Sequence, residues 1–393
     1  MKNLNEKLNA LRRRLKDDKV KIMIIGLGSV GCYLLDYLMS AADENMEITV
    51  VGRSAEKMIQ DVNIVRVSAL IRGQNRTQVK IVPEVDLNSV DDIVRCLESC
   101  TPDIIVNSSR AYPGLKYGSI SWKNVRAYGI WCPLSVKYIK NIMSAYERAG
   151  SDAIVVNTSY SDAVIPWLKT AGKAYPDFGS GNINHLLPRI KFAVAENYGI
   201  SDFWNIDVTY AVSHFHDVVI SKEGHTEGVE QLIKITYNDE ILNPDMNKIF
   251  ASCKIPMPVD AKRNMMNASS NFEIIRGILA AARDGKKVKL HCPGVFGEVG
   301  GYPVILDGTG IDVKSYIDES VFTLEQMRAK NAQSIYLDGI EKVENGILYY
   351  TDELLQKVES AFGAELVKCV PLEKTDETAD FIIREIIERY KEN

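Results

Sequence analysis

Histidine is scarce and basic charge is not in excess: the chain holds five histidines in 393 residues, and 47 Lys and Arg face 52 Asp and Glu, for a net charge of -5. That balance gives no general attraction to nucleic acid or another polyanion. The seven cysteines (Cys32, Cys96, Cys100, Cys132, Cys253, Cys292 and Cys369) are odd in number and contain no Cys-x-x-Cys pair. A complete disulfide framework and zinc-ribbon spacing are thereby excluded. No apolar run approaches the roughly 20 residues of a membrane span, and the first twenty residues lack the apolar segment of a signal peptide. Internal repeats, low-complexity tracts and disordered linkers are absent as well. The expectation is a reduced, cytoplasmic protein with no nucleic-acid partner, no membrane partner and no resident metal.

What is present is an ordinary globular composition, 46% hydrophobic and 25% charged, with enough material for two domains. Residues 1–19 place Leu4, Leu8, Leu11 and Leu15 at helical spacing among charges. They predict an amphipathic helix that packs on this chain or on a sister subunit. Next, "VKIMIIGLGSVGCYLLDYLMSA" runs from an apolar strand through Gly26, Gly28 and Gly31 into a helix opened by Ser29 and Val30. In this G-x-G-x-x-G spacing the first glycine turns the chain, the second admits a pyrophosphate and the third lets helix pack on strand. Backbone N–H groups at the helix start then bind phosphate. The competing reading is a purely structural turn.

The second strand, "MEITVVGRSAEK", ends in Gly52, Arg53 and Ser54 rather than in a carboxylate. An arginine and a hydroxyl suit a ribose 2′-phosphate, so NADP is preferred and NAD is the alternative; a plain surface arginine is the rival explanation. Further β-rich runs end at Ser108 and Asn157, alternate with helical patterns and predict a doubly wound parallel sheet. A long helix broken near Pro133 is expected in "SWKNVRAYGIWCPLSVKYIKNI". The stretch "SHFHDVVIS" reads as a strand, in which His214 and His216, two positions apart, share one face.

From residue 20 onward the order of these segments resembles the lactate/malate dehydrogenase superfamily. The resemblance is carried by "GLGSVG", "SSRAYPGLKYGSISW", "AIVVNTSYSDAV", "DFGSGNINHLLPRIKFAVAENYGI", "SHFHDVV" and "NASSNFEIIRGILAAARDGKKVKLHCPGVFGEVGGYPVILDGTGI". It implies an α/β fold: an N-terminal Rossmann domain with a doubly wound parallel sheet over 20–175, then an α+β catalytic and oligomerisation domain over 176–393. It also implies a homodimer or homotetramer. The implied activity is hydride transfer between a nicotinamide cofactor and a hydroxyl/carbonyl substrate, with His214 as acid and base and His216 as the alternative.

Several implied site positions differ from the family's pattern. Ala111 and Tyr117 fall where two loop arginines belong, with Arg110 beside the first. His185 falls where an aspartate belongs and Pro188 where an arginine belongs, with Arg189 one residue later. Asn157 or Ser159 takes the asparagine position, Tyr160 replaces a proline and Asp162 is retained. A substrate other than simple lactate or malate follows. The candidate cofactor contacts are Gly26, Gly28, Ser29, Val30, Gly31, Arg53, Ser54, Ser108 and Asn157, and the candidate chemical group is His214, His216, Asn157, Arg110, Arg189 and His185. An extra segment near 313–345 is longer than the family's connection and is expected to add a helix or arm. Further helices are expected after Thr351 or Asp352 and over "ETADFIIREIIERYKEN". Two other functions compete. One is a metal-assisted, NAD-dependent glycosidase, for which only His214, His216 and Cys253 offer ligands. The other is a nucleotide-binding regulatory protein without catalysis.

Overall fold

Strand and helix alternate along the first half of the chain because buried β-branched runs are separated by amphipathic helices, and the computed structural model, which describes residues 2–390, folds them into a parallel sheet. The strands are β1 (Val20–Ile25), β2 (Met46–Val51), β3 (Gln78–Val82), β4 (Ile104–Asn107), β5 (Ile154–Asn157) and β6 (Phe178–Gly179). Their spatial order is β3-β2-β1-β4-β5-β6, and every pairing is parallel. The order reverses between β1 and β4, so the carboxyl ends of those strands open a crevice at the switch point.

Before this sheet comes α1 (Leu4–Arg14), capped by a reciprocal Asn3–Glu6 box. It packs on its own chain: Leu4, Leu8 and Leu11 are buried, and Arg12 donates to the carbonyls of Ala281, Ala282, Gly308, Gly310 and Ile311. The buried Lys7 ammonium meets Asp177 at 2.8 Å, and the same carboxylate oxygen accepts from the Val155 N–H of β5. The sheet is flanked by α2 (Ser29–Ser40), α3 (Ala55–Arg72), α4 (Val90–Cys100), α5 (Gly114–Asn124), α6 (Cys132–Arg148) and α7 (Ser161–Thr170). The break expected near Pro133 proves to be a helix start: α5 and α6 are separate, and Pro133 occupies the first turn of α6, where the missing N–H costs nothing.

The second half begins with α8 (Ile183–Tyr198), β7 (Ile206–Ala211), α9 (His214–Glu223), β8 (Leu232–Tyr237), β9 (Glu240–Leu242) and α10 (Met246–Ser252). After α11 (Asn264–Ala282) come the antiparallel strands β10 (Lys287–Pro293), β11 (Gly301–Asp307) and β12 (Lys314–Ile317). The strand expected at "SHFHDVVIS" is instead α9. Ser213 precedes it in an extended conformation, Asp217 lies in its first turn and Gly224 ends it at φ +79°, a left-handed stop that glycine takes without strain.

The extra segment supplies α12 (Leu324–Leu337), opened by a Thr323–Gln326 capping box, and β13 (Ile340–Glu344). It continues through β14 (Ile347–Tyr350), α13 (Asp352–Phe362), β15 (Cys369–Pro371) and α14 (Thr375–Ile382). Thr351 caps α13, and α14 runs on as a π turn over Ile383–Ile387; the last residues of the helix expected there, 391–393, lie outside the described residues. Ile335, Ile340, Leu348, Tyr350, Leu354 and Val370 join one core with Trp131, Tyr146 and Trp167. The C-terminal elements therefore pack on the α6–α7 side of the parallel sheet, and the α12–β13 junction is carried to the sheet's carboxyl edge.

Candidate functional site

The glycine turn has the conformation its spacing requires. Gly26 sits at φ +92°, and a Cβ on it would come within 2.8 Å of the Ser109 backbone. Gly31 packs directly under the Gly26 carbonyl, whereas a Cβ on Gly28 would meet nothing within 4 Å. The first and third glycines are thus demanded by the protein itself, and the second faces open space at the N-terminus of α2, where Ser29 and Val30 begin the helix. At the tip of β2, Arg53 and Ser54 are exposed, and Ser54 caps α3 through the Lys57 N–H.

Hydrogen bonds and neighbouring residues in alternation link this turn to the second half of the molecule. Ser108 Oγ donates to Gly26 O at 2.7 Å, and Ser109 Oγ donates to Asn107 Oδ1 at 2.5 Å. Asn107 Nδ2 donates to Asn157 Oδ1 at 2.9 Å, and Asn157 Nδ2 donates to Ser159 O and Ser161 Oγ. The buried Asn157 amide is therefore committed at both ends to protein partners. One residue beyond Ser161, Asp162 Oδ1 accepts the His214 backbone N–H at 3.0 Å. That bond caps α9 from another element, because the Ser213 hydroxyl makes no capping bond.

His214 is the centre of the resulting constellation. Its Nδ1 lies 2.8 Å from Asp338 Oδ2, at the α12–β13 junction. A carboxylate partner makes Nδ1 the donor, so in the neutral ring Nε2 carries the lone pair; that nitrogen has no protein partner among the described residues. Asp338 also accepts from the Tyr128 N–H at 2.7 Å and from the Tyr160 hydroxyl. The rings of Tyr128 and Tyr160 stand edge-on to the imidazole at 4.9 and 5.0 Å. Burial pushes the His214 pKa down, but Asp338, Asp162 and Asp217 together outweigh it and leave the pKa above its ordinary value. Burial drives Asp162 up to about 6.

The other predicted residues are placed unequally. On a helix, residues two apart point about 200° away from each other, so His216 lies opposite His214 rather than beside it. His216 is fully buried, with Nδ1 2.7 Å from Ser334 Oγ and Nε2 3.1 Å from Thr226 O; burial lowers its pKa to about 4. His185, on α8, is close enough for the His214 charge to act on it, and burial, with Arg263 and Arg189 nearby, lowers its pKa to about 4. Arg189 is buried and donates from Nη1 to Cys253 O at 3.0 Å. Arg110 is exposed, and its guanidinium lies over Gly114 and within 3.4 Å of the Tyr117 hydroxyl, outside the group of charges that act on His214.

Three residues enter the site unannounced: Asp338, Asp217 and Arg263. Asp217 shares the His214 face of α9, three positions on. It is 6% exposed, and its Oδ1 is buried without a hydrogen-bond partner. Three more buried atoms without a partner are His185 Nε2, Arg189 Nε and Ser213 Oγ, and the Arg189 charge acts on both Asp217 and His185. The charge of Arg263 acts on Tyr128, His185, Arg189, Asp217 and Lys222. It has no ion-pair partner among the described residues, and the next residue, Asn264, donates to Ser29 Oγ at 2.6 Å. Arg263 is thereby anchored beside the glycine turn. Nothing local in the sequence marks it, because the contact that places it spans 235 residues.

His214, His216 and Cys253 do not gather into a metal-ligating group. Glu223, His225 and Glu227 do lie within ligand range of one another, but Arg126 already bridges both carboxylates there. Among the described residues, no helix is long and apolar enough to cross a membrane.

Comparison with family models finds no match, and comparison with curated protein sequences finds none either. Solved structures do match. Lactate dehydrogenase from Eimeria maxima, with NADH and oxamate, superposes with a TM-score of 0.52 at 14% identity, over 81% of this chain and 92% of that one. The chain has the lactate/malate dehydrogenase fold. Malate dehydrogenase from Aeropyrum pernix gives 0.51 at 14% identity, over 81% and 97%. Lactate dehydrogenase from Cryptosporidium parvum, complexed with lactic acid and nicotinamide adenine dinucleotide, gives 0.52 at 12% identity, over 82% and 97%. The α/β architecture and the Rossmann-like sheet expected from the segment order are those of this fold.

Proposed function

We propose that the protein is an NAD(P)-dependent oxidoreductase that interconverts a hydroxyl and a carbonyl group, with His214 as general acid and base. The observation that carries this reading is the His214–Asp338 pair, its Nε2 left free, tied through Asp162, Asn157 and Ser108 to the glycine turn. Gly28, with open space around it, and the N-terminus of α2 suit a dinucleotide pyrophosphate. Arg53 and Ser54 at the tip of β2 favour NADP over NAD. When bound, the nicotinamide supplies hydride transfer. The protein's part is to hold the proton: Nε2 takes it from a hydroxyl or returns it to a carbonyl oxygen, while Asp338 fixes the ring and stabilises the imidazolium. Asp338 would thus supply, from the extra segment, the orienting carboxylate that the resemblance places at His185.

The lining argues for a substrate other than lactate or malate. Pro188 stands where a carboxylate clamp is implied, Arg189 is engaged with Cys253 O, and Asp217 brings a carboxyl group beside His214. Arg263 is the cation we assign to an anionic substrate group. Self-association as a homodimer or homotetramer is supported by exposed Ile64, Val67, Leu70 and Ile71 along α3. The test is titration with NADPH and NADH by nicotinamide fluorescence, then turnover on 2-oxo acids, ketones and imines with wild type and His214→Ala. Oxidation of NADPH that His214→Ala abolishes supports the reading. Tight binding without turnover on every compound would favour a nucleotide-binding protein without catalysis.

A further inference from the structure

Tyr160 occupies a costly backbone position. It lies at φ +44° and ψ +51°, in the left-handed region, immediately before α7, a conformation a bulky side chain adopts only when its surroundings enforce it. What holds it is the site itself. The hydroxyl donates to Asp338 Oδ2, the same oxygen that meets His214 Nδ1, and the ring packs edge-on against the imidazole. Burial, reinforced by Asp338, raises the Tyr160 pKa well above its ordinary value, so the phenol remains a donor across the working pH range.

We infer that Tyr160 is a positioning residue that limits how tightly His214 holds its proton, by sharing the negative charge of Asp338 Oδ2. The groups facing His214 are Asp338 from the α12–β13 junction, Asp162 from α7, Asp217 from its own helix, His185 from α8, and the two tyrosine rings. Asp338, with Asp162 and Asp217 behind it, biases the imidazole toward its charged form, and too strong a hold on the proton serves neither direction of transfer well. A second strong donor on the nearest carboxylate oxygen weakens that hold without moving the ring. Tyr160 stands where the resemblance implies a proline, and Asp338 comes from the extra segment; the two departures act as one unit. The use of this device rests on reading His214 as acid and base, whereas the coupling itself is measurable without substrate.

The test is a histidine ring NMR titration of the full-length protein, with the His214 signal assigned by its loss in His214→Gln. Tyr160→Phe keeps the ring and removes only the hydroxyl. Its His214 midpoint is expected to rise by about half a pH unit or more, while Asp338→Asn lowers it. A Tyr160→Phe midpoint within about 0.2 pH units of wild type, with Asp338→Asn still lowering it, would overturn the inference. If Tyr160→Phe fails to fold, 3-fluorotyrosine placed at position 160 alone gives a more acidic phenol. It should lower the midpoint, and no change would overturn the inference equally. Failure of the oxidoreductase reading would appear separately, as no turnover in a protein whose His214 titration still responds to Tyr160.

Discussion

Asparagine at position 217 should make the free protein more stable at alkaline pH. Asp217 is nearly inaccessible, its Oδ1 has no partner, and burial pushes its carboxyl up to about 7 despite His214, Arg189 and Arg263 nearby. In the unfolded chain the same carboxyl titrates near 3.9. Between these two values the native state therefore holds a proton that the unfolded state releases. By linkage, stability falls as pH rises through that window, from about 4 to about 7. A shift of roughly three pH units corresponds to about 4 kcal/mol once the group is fully ionised. Asparagine stays neutral throughout but keeps a buried polar group, which costs about 1–3 kcal/mol if left unpaired. The Asp217→Asn variant should therefore match wild type within about 1 kcal/mol at pH 5 and exceed it by about 2 kcal/mol at pH 8. Urea denaturation of cofactor-free protein at both pH values reads this directly. A variant less stable than wild type at pH 8 would refute the reasoning, because it would mean that Asp217 is a satisfied structural carboxylate. The expected result would mark it as a group kept for a ligand at the expense of stability.

Gly28→Val should fold normally and lose dinucleotide binding, since φ at Gly28 is -83° and its surroundings are open. Gly31→Ala should instead lower the melting temperature, because its Cβ meets the Gly26 carbonyl; thermal scans with and without NADPH separate the two. Asp338→Asn should keep the fold yet cut turnover by about 10³ to 10⁴, through loss of the tautomer and of imidazolium stabilisation; stopped-flow NADPH oxidation measures it, and an unchanged rate would remove Asp338 from the site. Lys7→Met should destabilise by about 3–5 kcal/mol by leaving Asp177 buried and unpaired, seen as a lower urea midpoint, whereas an unchanged midpoint would mean that water reaches that carboxylate.

Local and nearest-neighbour patterns sufficed for the framework. Buried strands alternating with amphipathic helices, glycines at 26, 28 and 31, the leucine stripe of residues 4–15 and the Thr351 cap are periodicities and turn chemistries that act within a few residues. They are readable without knowing what lies across the sheet. At "SHFHDVVIS" the aliphatic run suggested a strand, and the tertiary setting favoured helix by lending Asp162 as the cap for His214. That change of period separated His216 from His214. His214 itself was legible through its place in the order of segments. Its carboxylate partner was not, because Asp338 lies 124 residues away at an Asp-Gly helix end that reads as an ordinary turn. Arg263 and Asp217 share that obscurity: the first is a half-buried cation without an ion-pair partner among the described residues and the second a buried carboxyl with an unpartnered oxygen, both properties of the folded molecule. Chain order and periodicity determined the sheet and the glycine turn and singled out His214 as a candidate. Only the packing of α12 and β13 against the parallel sheet decided which acid holds that histidine, since long-range convergence of charge leaves no mark on local sequence.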